Sequence, residues 1–110
     1  MLTVKGKRIK LTRGDTAKIS FQIVDESGDE WVPVAGDEMR FAMKMEYTDA
    51  EPVLEKAVDL ETMTLTIDPV DTMALPMPYA YVYDIQVSLA SGEVYTPVSN
   101  GTLELLEDVD

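Results

Sequence analysis

Carboxylates are the reactive side chains this sequence offers in greatest number. They gather at Asp25, Glu26, Asp29 and Glu30, at Asp37 and Glu38, and at Glu107, Asp108 and Asp110. Several oxygens from one acidic loop can hold calcium. Two carboxyl groups held roughly 5 to 10 Å apart in a cleft can hydrolyse a glycoside. The segment DESGDE (25–30) meets the calcium pattern only in part. It lacks the distal Glu of an EF-hand loop and the flanking helices. No pair of carboxylates is singled out by its neighbours, so the expectation is solvated acidic loops that bind no metal.

The other catalytic constellations lack their parts. The chain has no histidine and no cysteine. That removes the Ser–His triad, the imidazole metal ligand and the thiolate nucleophile. GKRIKLT (6–12) lacks the glycine-rich first half of a phosphate-binding loop. RGD (13–15) matches the integrin-binding tripeptide, but so short a motif recurs by chance, and a glycine at 14 suits a turn between strands. The expectation is a protein that is no enzyme and needs no cofactor.

Binding through apolar and aromatic groups remains. Trp31, the single tryptophan, follows the DESGDE turn, where it can cap one end of a domain or stack on a sugar. Of the seven methionines, Met39, Met43, Met45 and Met63 fall on alternating segments and belong to a core. Met73 and Met77 do not. Together with Ala80 and Val82 they form the candidate interaction patch. In YAYVYDIQVSL (79–89) the large residues Tyr79, Tyr81, Tyr83, Ile85, Val87 and Leu89 alternate with Ala80, Val82, Asp84, Gln86 and Ser88. One face of a central strand then walls a core, with the tyrosine hydroxyls at its rim.

Strands must position these groups, because the apolar period is two nearly everywhere. AKISFQIV aligns Ala17, Ile19, Phe21 and Ile23; EMRFAMKMEY aligns Met39, Phe41, Met43 and Met45; TMTLTID aligns Met63, Leu65 and Ile67. RIKLT (8–12), PVLEKAV (52–58), EVYTPV (93–98) and GTLELLED (101–108) read as weaker strands, with prolines placing 52–58 and 93–98 at sheet edges. Turns fall at DESGDE, ASGE (90–93) and SNG (99–101). DPVDTMALP (68–76) gives one short helical turn near 69–75, capped by Asp68 or Asp71 and ended by Pro76. The prediction is a single all-β domain over 1–110, an immunoglobulin-like two-sheet antiparallel β-sandwich of about seven or eight strands.

Charge narrows the partners. Nine Lys and Arg stand against 21 Asp and Glu, a formal net charge of -12. Phosphate backbones and anionic membranes are both repelled, so neither nucleic acid nor membrane is an expected partner. The opening residues lack the apolar core of a secretory leader, and no apolar run reaches the roughly 20 residues of a membrane span. A soluble protein, kept inside a cell or packed into a particle there, is expected.

Three segments in order carry a resemblance: LTRGDTAKISFQIVDESGD, EMRFAMKMEYTDAEPVLEKAV and IDPVDTMALPMPYAYVYDIQVSLASGEVYTPVSNGTLELLEDV. They resemble small structural proteins of tailed phages and prophages, and among these the immunoglobulin-like N-terminal domain of phage baseplate upper proteins. The likeness spans nearly the whole chain. It implies a non-enzymatic virion protein that docks onto other tail or baseplate proteins and is assembled in the bacterial cytoplasm. Baseplate upper proteins continue into receptor-linking regions, whereas this sequence stops at Asp110, which leaves two readings, a stand-alone adaptor or another tail component on the shared scaffold. The alternative is a general protein- or carbohydrate-binding immunoglobulin-like module. In isolation the acidic surface favours a monomer or weak homo-oligomer.

Overall fold

Alternation builds the main sheet. A computed structural model describes residues 3–4, 8–46, 48–75 and 80–106, with 3, 4, 99 and 100 described as backbone. In chain order the elements are β1 (Thr3–Val4), β2 (Arg8–Thr12), β3 (Ala17–Ser20), β4 (Ile23–Val24), β5 (Glu38–Lys44), β6 (Leu54–Ala57), β7 (Thr64–Ile67), α1 (Pro69–Met73), β8 (Ala80–Ser88) and β9 (Val94–Leu106). Five strands form one sheet in the order β2-β9-β8-β5-β6, while β3 pairs with β7 and β1 with β4. The order β9-β8-β5-β6 is that of an immunoglobulin G-F-C sheet extended by a C′ strand, and β3–β7 is the B–E pair opposite. The fold is an all-β sandwich.

The period of two decides which side chains meet. Met39, Phe41 and Met43 of β5, and Tyr81, Tyr83, Ile85 and Val87 of β8, are buried with Ile9, Leu11, Leu103 and Leu105. From the other layer Ile23, Leu65 and Ile67 close the core. Tyr81 and Tyr83 are 0 % and 2 % exposed, so these tyrosines wall the core; Tyr79 lies outside the described residues. The Phe41 and Tyr83 rings pack with centroids 5.3 Å apart.

Four features depart from the sequence prediction. First, β2 pairs with β9 in parallel, so the main sheet is mixed where a wholly antiparallel one was expected. Second, AKISFQIV changes partner along its length: Ala17–Ser20 pairs with β7, and Ile23–Val24 pairs with β1. Third, Met63 precedes β7 in a turn, with φ at +53°. Fourth, SNG makes no return: the predicted strands 93–98 and 101–108 run together as one strand, β9, over Val94–Leu106, and 107–108 lie outside the described residues.

The fourth difference has a clear origin in the register. Tyr83 pairs with Gly101, Ile85 with Val98 and Val87 with Tyr95. Two residues of β8 are thus matched by three of β9, twice in succession. Each mismatch is a bulge, and a bulge accommodates Pro97, which has no N–H to give to a ladder. Inward-facing residues of β9 here recur every three positions, so the alternation that marks a strand is lost from the sequence.

Helix α1 ties together the two edges of the main sheet. Pro69 sits at its first turn, where a missing N–H costs nothing. Asp71 Oδ2 accepts from the Asp68 N–H at 2.7 Å. Lys56 of edge strand β6 donates to Asp71 at 2.6 Å and to Asp68 at 3.1 Å. Burial works to raise the Asp71 pKa, yet the Lys56 hydrogen bond, the Asp68 N–H and the Lys56 charge together hold it below the ordinary aspartate value. The hydrogen bond to Asp71 raises Lys56 in turn. At the other end Arg13 Nη1, in the turn after β2, donates to the carbonyls of Thr72 (2.8 Å) and Leu75 (3.0 Å). A cation there offsets the unpaired carbonyls of a helix C-terminus.

Candidate functional site

Three residues of the predicted patch are described, Met73 on α1 and Ala80 and Val82 on β8. Met73 is 66 % exposed on α1, whose Thr72 and the following Leu75 pack into the core. Ala80 and Val82 alternate with the buried Tyr81 and Tyr83 and so leave the opposite, outer face of the main sheet. Val82 is half-buried there, in register between Lys44 and Thr102. Met77 lies outside the described residues. The RGD tripeptide is built into the fold. Arg13 caps α1, and Gly14, at φ +85°, donates its N–H to Thr72 Oγ1 at 2.9 Å.

The acidic loop is likewise occupied with its own backbone. Asp25 Oδ1 accepts from the N–H groups of Ser27 and Asp29. Among the described residues, no three Asp or Glu converge as a metal site. Of the predicted edges, β6 is an outer strand of the main sheet. Among the described residues β2 pairs with β9 over Thr102–Leu106, and the first half of β9 pairs with β8.

Besides Val70 and Met73 on α1, exposed apolar side chains lie at the end of the sandwich where β4 leads to β5 and β8 turns into β9. Val32 and Val34 are 75 % and 64 % exposed, and Trp31 beside them is half-buried against the core. Across from them lies the β8–β9 hairpin. Trp31, Val32 and Val34 on one side and Leu89, Ala90 and Ser91 on the other border a groove of about 240 Å³ with Asp37.

Asp37 fixes the two walls. Its Oδ2 accepts from the Val34 N–H at 2.9 Å and its Oδ1 from the Ala90 N–H at 2.8 Å. The Asp37 N–H returns to the Val34 carbonyl at 3.1 Å, closing a turn that carries Gly36 at φ +95°. A Cβ on Gly36 would stand 2.9 Å from that of Ala90, so glycine lets the loops meet. The Trp31 N–H donates to the Ile23 carbonyl, which anchors the base of the longer loop. In the hairpin the Leu89 N–H donates to the Glu93 carbonyl at 2.8 Å. The Tyr95 hydroxyl donates to Glu93, which raises the tyrosine pKa.

A second depression of about 470 Å³ lies round the corner on the outer face of the sheet, with Glu38, Arg40, Gln86 and Ser88 among its walls. Arg40 and Gln86 are cross-strand partners, as are Glu38 and Ser88. Its polar groups can donate to and accept from a hydroxyl-rich ligand. The apolar groove can do something different: exclude water from an inserted side chain.

Sequence reasoning placed Trp31 at a domain end but passed over Val32, Val34, Asp37, Leu89 and Ala90. The available signal was WVPV (31–34), a run of apolar residues inside a connection that otherwise reads as a loop. No family model matches the chain, and no curated protein matches it.

Proposed function

We propose that this chain is a non-enzymatic structural protein of a phage or prophage tail or baseplate, and that it docks onto other virion proteins. The loop end carries the reading. In the segment held by Asp37, Val32 and Val34 present apolar surface that the core does not use, on loops already fixed before a partner arrives. Such pre-organisation lowers the entropic cost of binding. The immunoglobulin-like sandwich is a scaffold shared by many functions, so the tail assignment leans on the sequence resemblance and the docking assignment on this surface.

The test is a pull-down of the purified chain against the tail and baseplate proteins encoded beside it, with size-exclusion and light scattering of each mixture. A stable complex with at least one of them is expected, and a monomer or weak oligomer for the chain alone. Failure of every tail protein to bind, with capture of a soluble glycan instead, would replace this reading by the binding-module alternative. The polar depression around Arg40, Gln86 and Ser88 is the place such a glycan would occupy.

A further inference from the structure

We infer that the loop end accepts a cationic protein segment with an apolar anchor. The anchor enters the groove between Val34 and Ala90, and its basic flanks meet the surrounding carboxylates. This deepens the docking reading and rests on it.

The charge of the loops sets the sign. The connections 25–37, 58–63 and 89–93 hold five, two and one Asp or Glu respectively, and no Lys or Arg. Asp37 is engaged by the backbone on both oxygens, but Asp29, Glu30 and Glu93 are exposed on the loops that bear the groove. The first basic residue beyond the longer loop is Arg40, set back on β5. An apolar groove borne by loops rich in carboxylates favours a partner of the opposite sign, because like charges brought against those loops would be desolvated without compensation.

The same count argues against other occupants. A second copy docking by this face would bring two carboxylate rims together. A nucleic acid or an anionic bilayer would be repelled by them. A partner that is merely cationic would gain from the field of the whole chain at any point on its surface, since the net charge is -12. The groove bordered by the exposed Val32 and Val34 gives such a partner a place to seat an apolar anchor. Affinity from the rim fades as salt shortens the Debye length from about 10 Å at 0.1 M to about 3 Å at 1 M, whereas the anchor's contribution persists.

Trp31 makes the test local, since it is the single tryptophan and borders the groove. Three dodecapeptides without Trp or Tyr serve as probes: alternating Lys/Leu, alternating Lys/Ser and alternating Glu/Leu. Each is titrated against the native chain and against the Val32→Ser/Val34→Ser variant, with Trp31 emission and peptide anisotropy as readouts. Both valines are exposed, so the variant keeps the fold, which far-UV dichroism and melting verify. The Lys/Leu peptide should shift Trp31 emission to the blue and bind at least tenfold more tightly than Lys/Ser. The Glu/Leu peptide should not bind. The double variant should lose at least tenfold for Lys/Leu and nothing for Lys/Ser.

Binding of Lys/Leu with unmoved Trp31 emission, equal affinity for the double variant, or no binding at all would overturn the inference. Repeating the tail-protein pull-down with the double variant separates this inference from the function it rests on. Retained tail-protein binding leaves the docking function intact and removes this face as its surface. A working groove with no tail partner removes the virion role instead.

Discussion

Replacing Gly101 by alanine should destabilise this protein, although general strand preferences point the other way. In a strand interior alanine is favoured over glycine by about 0.5–1 kcal/mol. Gly101 has no left-handed φ that would forbid the change. The obstacle is Tyr83, its partner in register. A Cβ at 101 would lie 2.5 Å from Cζ, 2.6 Å from Cε1 and 2.9 Å from Cε2 of that ring. The ring cannot retreat, because it is buried and packed on Phe41. Overpacking of this kind costs about 1–3 kcal/mol. With an unfolding entropy near 2.1 cal/mol/K per residue, about 2 kcal/mol corresponds to a fall of about 9 °C for a chain of this length. Thermal and urea melts of Gly101→Ala, Tyr83→Leu and the double variant measure it. A leucine has no atoms where the far ring atoms lie, so the two changes should couple, with Gly101→Ala costing less in the Tyr83→Leu background. A Gly101→Ala protein that melts at or above the native temperature, or additive effects, would refute the ring-on-glycine contact and with it the register of β9.

Ile85→Asp should abolish folding, since it places an unpaired charge in a fully buried position, while Gln86→Asp should be mild because it faces out beside Arg40; equal tolerance in melts would mean the faces are reversed. Asp71→Asn keeps an oxygen for the Asp68 N–H but removes the charge that holds Lys56, and should cost about 1–2 kcal/mol at neutral pH. Because the folded pKa of Asp71 is lowered, its contribution is complete above the ordinary aspartate value and is lost as pH falls through the folded one, so native and variant stabilities should converge below about pH 4; a gap that stays constant with pH would contradict this. Millimolar calcium should leave the melting temperature almost unchanged, because Asp25 is already engaged by Ser27 and Asp29. A rise of about 10 °C, equivalent to about 2.3 kcal/mol by the same unfolding entropy, would require calcium at about fifty times its dissociation constant and would show a real site.

The strands that were legible are those in which one face alone is buried. RIKLT coincides with β2, and the buried positions of β5 and β8 are the ones that alternation singles out. Glycines needed at positive φ marked the turns at Gly28 and Gly92, and Asp-Pro marked the start of α1. Legibility failed where the backbone departs from regular pleating or where pairing is remote. The two bulges in β9 change its inward period from two to three, so no alternation survives to be read. The parallel pairing of β2 joins residues more than ninety positions apart, Arg8 with Thr102, and nothing local records it. A short strand reads the same whether its neighbour runs parallel or antiparallel.

The groove end was hidden for a related reason, and its residues show how. Val32 and Val34 look like core residues when counted by hydrophobicity, and Asp37 looks like one acid among many. They share a surface only once Asp37 reaches Ala90, 53 positions away, and draws two loops into one groove. The patch that sequence reasoning chose illustrates the converse logic. Met73, Ala80 and Val82 are close in the chain and all unneeded by the core, yet a helix on one side of the sheet and a strand face on the other carry them apart. Nearness in sequence predicts a shared surface only within one element, where the period fixes direction. Across a connection the direction is set by which layer each element joins. For a sandwich, then, surplus apolar residues in connections at one end are better candidates for a surface than surplus residues adjacent in sequence. Several connections converge at that end whatever their separation along the chain, as 25–37 and 89–93 do here.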